Sequence, residues 1–235
     1  MSVRLAFADV GEAADLAAFL GRLIHYDKAA AVRLQAGGAG EKIRSLAVFG
    51  RPPSFEVLAI RTARLADPVE LDVTVSAGEL LESVDESAGT AEVPAAVTGP
   101  PWAGVLPPRG GWQQLDGMPS QDAVRAEVAA VVAEFRTRTE ELPAESRTRA
   151  ELDRIGREIW SRPLGDTELP VRAAHAAQSL GFLRPVRVAV AAGGPPQEQP
   201  FALLAAGAWL RLRTPYGSVA VRSASALGGL SVTPA

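Results

Sequence analysis

The chain has no cysteine and no asparagine, and only two histidines and two lysines in 235 residues. Without cysteine there is no disulfide, thiolate nucleophile, iron–sulfur cluster or cysteine-ligated zinc. His25 and His175 lie far apart and neither belongs to an H-E-x-x-H run, so no metal site and no cofactor are expected. Arginine carries almost all the positive charge, with Lys28 and Lys42 the exceptions. That bias reads as high-GC coding, so arginine content alone is no argument for phosphate binding. Long apolar runs are missing too. The most apolar segment, Phe201–Leu210, falls well short of the ~18 to 20 residues that cross a bilayer. The opening apolar stretch is stopped by Asp9 and is too short for a signal peptide, so a cytoplasmic protein with no membrane partner is expected.

What is present is ordinary for a folded chain: 47% hydrophobic and 22% charged residues, net charge −3. Chains of ~150 to 300 residues bury roughly 70–75% of their unfolded surface, so a core is within reach. Wholesale disorder, a collagen repeat and a disulfide scaffold are excluded. Residues 1–92 sum to −5 and residues 163–235 to +3, an offset too small to name a partner.

The N-terminal part reads as a strand over Val3–Ala8, then a helix opened by the capping-box spacing of Asp9 and Glu12. Leu16, Phe19, Leu20, Leu23 and Ile24 form one buried stripe on it, and His25 at its end suits the negative helix pole. Strand-like runs follow at Ala30–Gln35, Ile43–Phe49, Phe55–Leu65 and Leu71–Val75. Arg61 and Arg64 fall on opposite faces of the third run, which suggests a bulge or an early end. Ser76 and Glu79 open a short second helix. The Gly37–Lys42 stretch lacks the Gly-Lys-[Ser/Thr] of a phosphate loop and reads as a hairpin connection. The order β-α-β-β-β-β-α predicts an antiparallel sheet with a helix packed on one face, and resembles in topology half of a sliding-clamp domain.

Periodicity vanishes from Asp85 to Pro119, where six prolines exclude long regular elements. We therefore expect a domain over 1–92, a Pro/Gly-rich linker over 93–119 and a second domain over 120–235. Trp102 and Trp112 are unusual in such a linker. They are expected to anchor it to the domains, the sharper alternative being an exposed pair that grips a ligand. The C-terminal part predicts helices from about Gln121, from a Thr148–Glu151 capping box and from Pro170 to Gly181. The middle helix should bury Leu152, Ile155, Ile159 and Trp160 and present Arg149, Asp153, Arg154, Arg157 and Glu158 as a solvated face. His175 reads as a satisfied polar residue near the core edge. A strand over Val186–Ala191 and a hairpin turning at Thr214-Pro215-Tyr216-Gly217 complete the chain. Alternation sets Trp209, Arg211 and Arg213 on one face of the hairpin. The fold class is thus α+β, with C-terminal helices followed by a β-hairpin.

The phrases Leu169–Leu183, Trp209-Leu210-Arg211-Leu212, Gly217–Arg222 and Trp102–Trp112 resemble uncharacterised proteins of high-GC actinobacteria. The resemblance implies a cytoplasmic bacterial protein and carries no assigned activity, so no catalytic residue follows from it. No nucleophile–base pair, metal ligand set or nucleotide loop is visible. A non-enzymatic binding or interaction protein is the leading expectation, partnered by a second copy or another protein. Its candidate binding residues are Trp102, Arg109, Trp112, Arg211, Arg213 and Arg222. One alternative is a DNA-binding regulator, with the last helix and hairpin arranged as a winged helix. Against it stand a single arginine on that helix and the weak +3 charge. The other is a hydrolase or isomerase built on carboxylates whose pKa is raised by burial. Acids, arginines and imidazoles are otherwise expected to finish helices and face water.

Overall fold

The computed structural model describes residues 3–37, 44–53, 55–185 and 201–223. In chain order the strands and helices are β1 (Arg4–Ala6), α1 (Val10–Tyr26), β2 (Ala31–Ala36), β3 (Ser45–Gly50), β4 (Leu58–Arg64), β5 (Leu71–Ser76), α2 (Ala77–Ser83), β6 (Thr90–Glu92), β7 (Gln113–Leu115), α3 (Gln121–Glu140), α4 (Arg149–Trp160), α5 (Val171–Ser179), β8 (Ala202–Ala206), β9 (Trp209–Thr214) and β10 (Gly217–Arg222). This is the α+β class the patterning predicts. The expected strand at Val186–Ala191 and most of the Gly37–Lys42 stretch lie outside the described residues.

Local chemistry sets the helix starts. The side chains of Asp9, Ser76 and Thr148 accept from the amides of Glu12, Glu79 and Glu151, so the N-cap half of each expected capping box forms. Ser120 caps α3 in the same way through Ala123 N–H. Pro170 is the N-cap of α5, one position before the site sequence reading gave it. At the other end Gly181 has φ +74 and donates to Gln178, while Phe182 N–H donates to Ala177, a Schellman closure.

Strands from both halves of the chain join one eight-stranded antiparallel sheet in the order β5-β2-β3-β4-β10-β9-β8-β7; β1 and β6 pair separately. The halves meet where Ser218, Val219 and Ala220 of β10 pair with Ile60, Ala59 and Leu58 of β4. Alternation sends Val32 and Leu34, Leu210 and Leu212, and Val219 and Val221 to one face, where they are buried against the helices. The α1 stripe packs there through Leu16, Phe19, Leu20 and Leu23, each side chain worth roughly 1.5–3 kcal/mol on full burial. Phe19 stacks on Phe182 with centroids 5.7 Å apart, which ties α1 to the chain leaving α5.

The winged-helix arrangement is not what forms. The β9–β10 hairpin lies inside the sheet, with β4 on one side and β8 on the other, so it is no projecting wing. Nor is α5 a free recognition helix, because Val171, Ala173, Ala174, Ala176 and Ala177 are all buried and the helix packs on β10. The hairpin itself is as expected: Thr214 pairs with Gly217, and Thr214 Oγ1 donates to Gly217 O at 2.9 Å.

On the opposite sheet face a small cluster of Phe49, Leu58, Ile60 and Ala220 is covered by the proline-rich connection. That connection forms a 3-10 turn at Pro101–Gly104, lays Trp102 and Leu106 on the cluster, and ends as β7 on the far edge strand β8. Before the turn, Val97 N–H donates to Thr74 O at 2.9 Å.

Arg61 neither bulges nor ends its strand. It is a 7%-exposed cation pointing to α1, with Nη2 at 2.9 Å from Glu12 and 3.4 Å from Asp15, and Nη1 donating to Tyr216 O at 3.2 Å. Arg64 also bonds Glu12 and Asp9, and Arg184 bonds Asp15 while lying 3.7 Å over the Tyr216 ring. The strand that contains Arg61 and Arg64 begins at Leu58 and not at Phe55.

Candidate functional site

Three helices and one loop surround a two-lobed cleft at the end of the sheet where β4 begins and β10 ends. α4 contributes Arg149, Leu152, Asp153, Gly156, Arg157 and Trp160. Their spacing of three and four residues makes a single stripe. α3 adds Val132, Phe135 and Arg136, and α5 adds Arg172 and His175. Opposite them, the β3–β4 connection supplies Pro53, Phe55 and Glu56. This larger lobe has a volume of about 1070 Å³. A smaller lobe of about 460 Å³ adjoins it, sharing Arg172 and Glu56 as lining, and lies towards the opposite sheet face. Its walls are Trp102 and Pro101 from the 3-10 turn, Trp209 and Arg222 from the hairpin, Arg51, and apolar residues including Val57 and Leu58.

The helix walls are held by charge. Arg138 grips Glu158 with two bonds of 2.7 and 2.9 Å, and Arg162 grips Glu134 with two of 2.7 and 2.8 Å. These fork-to-carboxylate pairs link α3 to α4 and to the segment after it, and they pull Glu158 down to about 2. The loop wall is strained. Glu56 sits at φ +51, in the left-handed region where side chains other than glycine are uncommon.

Inside the larger lobe His175 stacks on Trp160 at 4.6 Å and meets the Phe55 ring edge-on at 5.1 Å. Burial alone lowers its pKa, so the ring is neutral at pH 7, and it makes no hydrogen bond to a described residue. That departs from a satisfied polar residue: its partners are aromatic rings. Phe135 adds a tilted contact to Trp160 at 5.7 Å. Gly156 lies beside them, where a Cβ would make ordinary contact with the Trp160 ring at 3.4 Å.

The guanidinium groups are in excess. Among the described residues no ion pair holds Arg51, Arg136, Arg157, Arg172 or Arg222, and Arg149 has only Asp153 at 3.8 Å. Arg172 Nε is buried and lacks a hydrogen-bond partner. The solvated face expected of α4 is present, with Arg149, Asp153, Arg154, Arg157 and Glu158 all exposed, and its arginines divide between two sides. Arg154 pairs with Glu151 and Glu158 outside the cleft, whereas Arg149 and Arg157 line it.

Of the residues singled out from sequence, Trp102 and Arg222 come together in the smaller lobe, with Arg222 placed 4.8 Å over the Trp209 ring. Trp112 and Arg211 form a separate pair at 5.5 Å, and Trp112 Nε1 donates to Pro108 O at 3.0 Å. Burial, with Arg213 adding to it, lowers the pKa of Arg211. Arg213 stands two residues further along β9, and Arg109 reaches Gly37 O at 3.3 Å. Trp102 and Trp112 are both half-buried. Sequence reading missed Arg51, Arg136, Arg172 and Trp209. No local signal marked these four, which lie on four separate segments; the stripe on α4, with polar and aromatic residues at three- and four-residue spacing, pointed only to the wall they face.

Residues 1–104 match the family model described as Domain of unknown function (DUF8010), and residues 107–226 match that described as Domain of unknown function (DUF8185). No curated protein and no solved structure matches the chain. No helix among the described residues is long and apolar enough to cross a membrane.

Proposed function

We propose that this chain, which belongs to the family described as Domain of unknown function (DUF8185), is a binding protein whose two-lobed cleft takes a small anionic ligand. The observation that carries this reading is the set of unpaired guanidinium groups converging on the cleft, with Arg172 Nε buried and unbonded at its waist. A buried donor without an acceptor costs about 1–3 kcal/mol, and an anion at that point removes the cost through charge-assisted bonds. Glu56 and Asp153 are too few to neutralise the arginines. Binding is favoured over acid–base turnover because His175 is packed between the Trp160 and Phe55 rings and no described carboxylate bonds to it and orients it.

Isothermal titration of the full chain with a panel of phosphate and carboxylate anions tests the reading. We expect saturable binding that weakens with salt and that Arg172→Met reduces by about tenfold or more, the scale of one charged hydrogen bond. Failure of every anion to bind at low salt would refute it, and conversion of the ligand would move the protein to the enzyme class. A cytoplasmic location in an actinobacterium-like host is a further proposal, supported by the sequence resemblance alone. Self-association is left to light scattering over a concentration series.

A further inference from the structure

The two lobes differ in chemistry, and the difference specifies the ligand more closely. The smaller lobe is mainly apolar and aromatic, built on Trp102, Trp209, Pro101, Val57 and Leu58. At about 460 Å³ it falls in the lower part of the roughly 300–1,000 Å³ range of small-molecule sites. That suits a planar ring with its attached sugar. Indole faces take such rings by stacking, and the guanidinium of Arg222 already lies over one of them. The larger lobe carries Arg136, Arg149 and Arg157, with a single acid, Asp153, on α4 and Glu56 at the waist. Arg136 and Arg157 hold no ion pair. One phosphate would leave part of that charge unmatched, whereas a chain of them would follow it. Arg172 lines both lobes, so it stands where ring-bearing and anionic parts of one molecule would join.

We infer that the ligand is a nucleoside polyphosphate, with its base between the tryptophans of the smaller lobe and its phosphates among the arginines of the larger one. The inference rests on the anion-binding reading and adds a ring, a polarity and a preference for several phosphates. Planar forks on Arg157 and Arg136 match phosphate oxygens, and the neutral His175 offers them one N–H donor without adding charge.

The test uses the full chain, isothermal titration and tryptophan fluorescence. The four ribonucleoside triphosphates are titrated first, then the nucleoside, monophosphate and diphosphate of the tightest, inorganic tripolyphosphate and a short single-stranded oligonucleotide. Affinity should rise by about tenfold or more from monophosphate to triphosphate, with the nucleoside weakest and the triphosphate quenching fluorescence. Trp209→Leu should weaken the triphosphate about tenfold, the scale of one stacked base, and leave tripolyphosphate unchanged. Arg157→Met should shrink the difference between monophosphate and triphosphate. Trp102→Leu serves as the second aromatic variant if Trp209→Leu unfolds. Tripolyphosphate binding as tightly as every triphosphate, or an oligonucleotide binding more tightly, overturns the inference and leaves anion binding standing. If neither tripolyphosphate nor any triphosphate binds, both fall.

Discussion

Arg61 offers the most demanding check on how the two halves of the chain are joined. Arg61→Met keeps most of the apolar stem and deletes the charge. Glu12, with a side chain 12% exposed, loses its bond at 2.9 Å, and the carbonyl of Tyr216 loses a donor at 3.2 Å. Removing one member of a buried ion pair costs about 3–5 kcal/mol. The lower end applies, because Glu12 keeps Arg64 at 2.8 Å and Asp15 keeps Arg184. A loss of ~3 kcal/mol in a domain of this size lowers Tm by roughly 6–12 °C, at ~2–4 °C for each kcal/mol. Calorimetry and urea unfolding followed by circular dichroism would measure it, with the midpoint falling and the slope preserved. A double variant, Arg61→Met with Glu12→Leu, should be more stable than Arg61→Met alone, since the stranded carboxylate is gone and Arg64 is 65% exposed. A single-variant loss under ~1 kcal/mol, or a double variant worse than either single one, would refute the argument that desolvated charge is the dominant cost.

Other outcomes follow from contacts described above. Gly217→Ala should cost about 1–3 kcal/mol in urea unfolding, because a Cβ would approach the Phe182 ring to 2.6 Å and disturb its stacking on Phe19. Burial lowers the folded-state pKa of His175, so the unfolded chain binds the extra proton first and stability falls as pH drops below about 6.5. His175→Phe should remove that part of the pH dependence; a wild-type–variant difference that is flat between about pH 7.5 and 5 would count against it. Glu158, held at about 2 by Arg138 and then Arg162, adds stability above the usual carboxylate range that is lost as pH falls towards that value. Glu158→Gln should flatten the acid limb of the stability curve, and salt should shrink the wild-type advantage. Glu56→Gln, which removes a carboxylate from the waist of the cleft, should tighten anion binding severalfold in titration calorimetry.

Local chemistry was legible in the residues. The Asp9–Glu12, Ser76–Glu79 and Thr148–Glu151 spacings announce helix starts because the bonds involved span three residues. The α1 stripe and the turn at Thr214–Gly217 were readable for the same reason. The pairing of β10 with β4 was not, since either strand's apolar alternation suits many neighbours and nothing local selects one 155 residues away, the separation of the Arg61–Tyr216 bond. Arg61 looked like a fault in a strand because its satisfying acids lie on another element. The site was half legible. Trp102 and Arg222 drew notice as residues out of place, whereas Arg149 and Arg157 resemble any solvated helix face and stay exposed, and only the placement of α3 and the Phe55 loop shows the cleft they border.

The seam between β4 and β10 bears on any attempt to work with pieces of this protein. A cut near residue 105, where one family match gives way to the next, would leave each fragment with a bare interior strand, β4 on one and β10 on the other. Those edges are largely apolar and mutually matched in register, so isolated fragments should clump. Mixed together, the same fragments should zip along the Ser218–Ala220 register and reconstitute the whole, as in a split reporter.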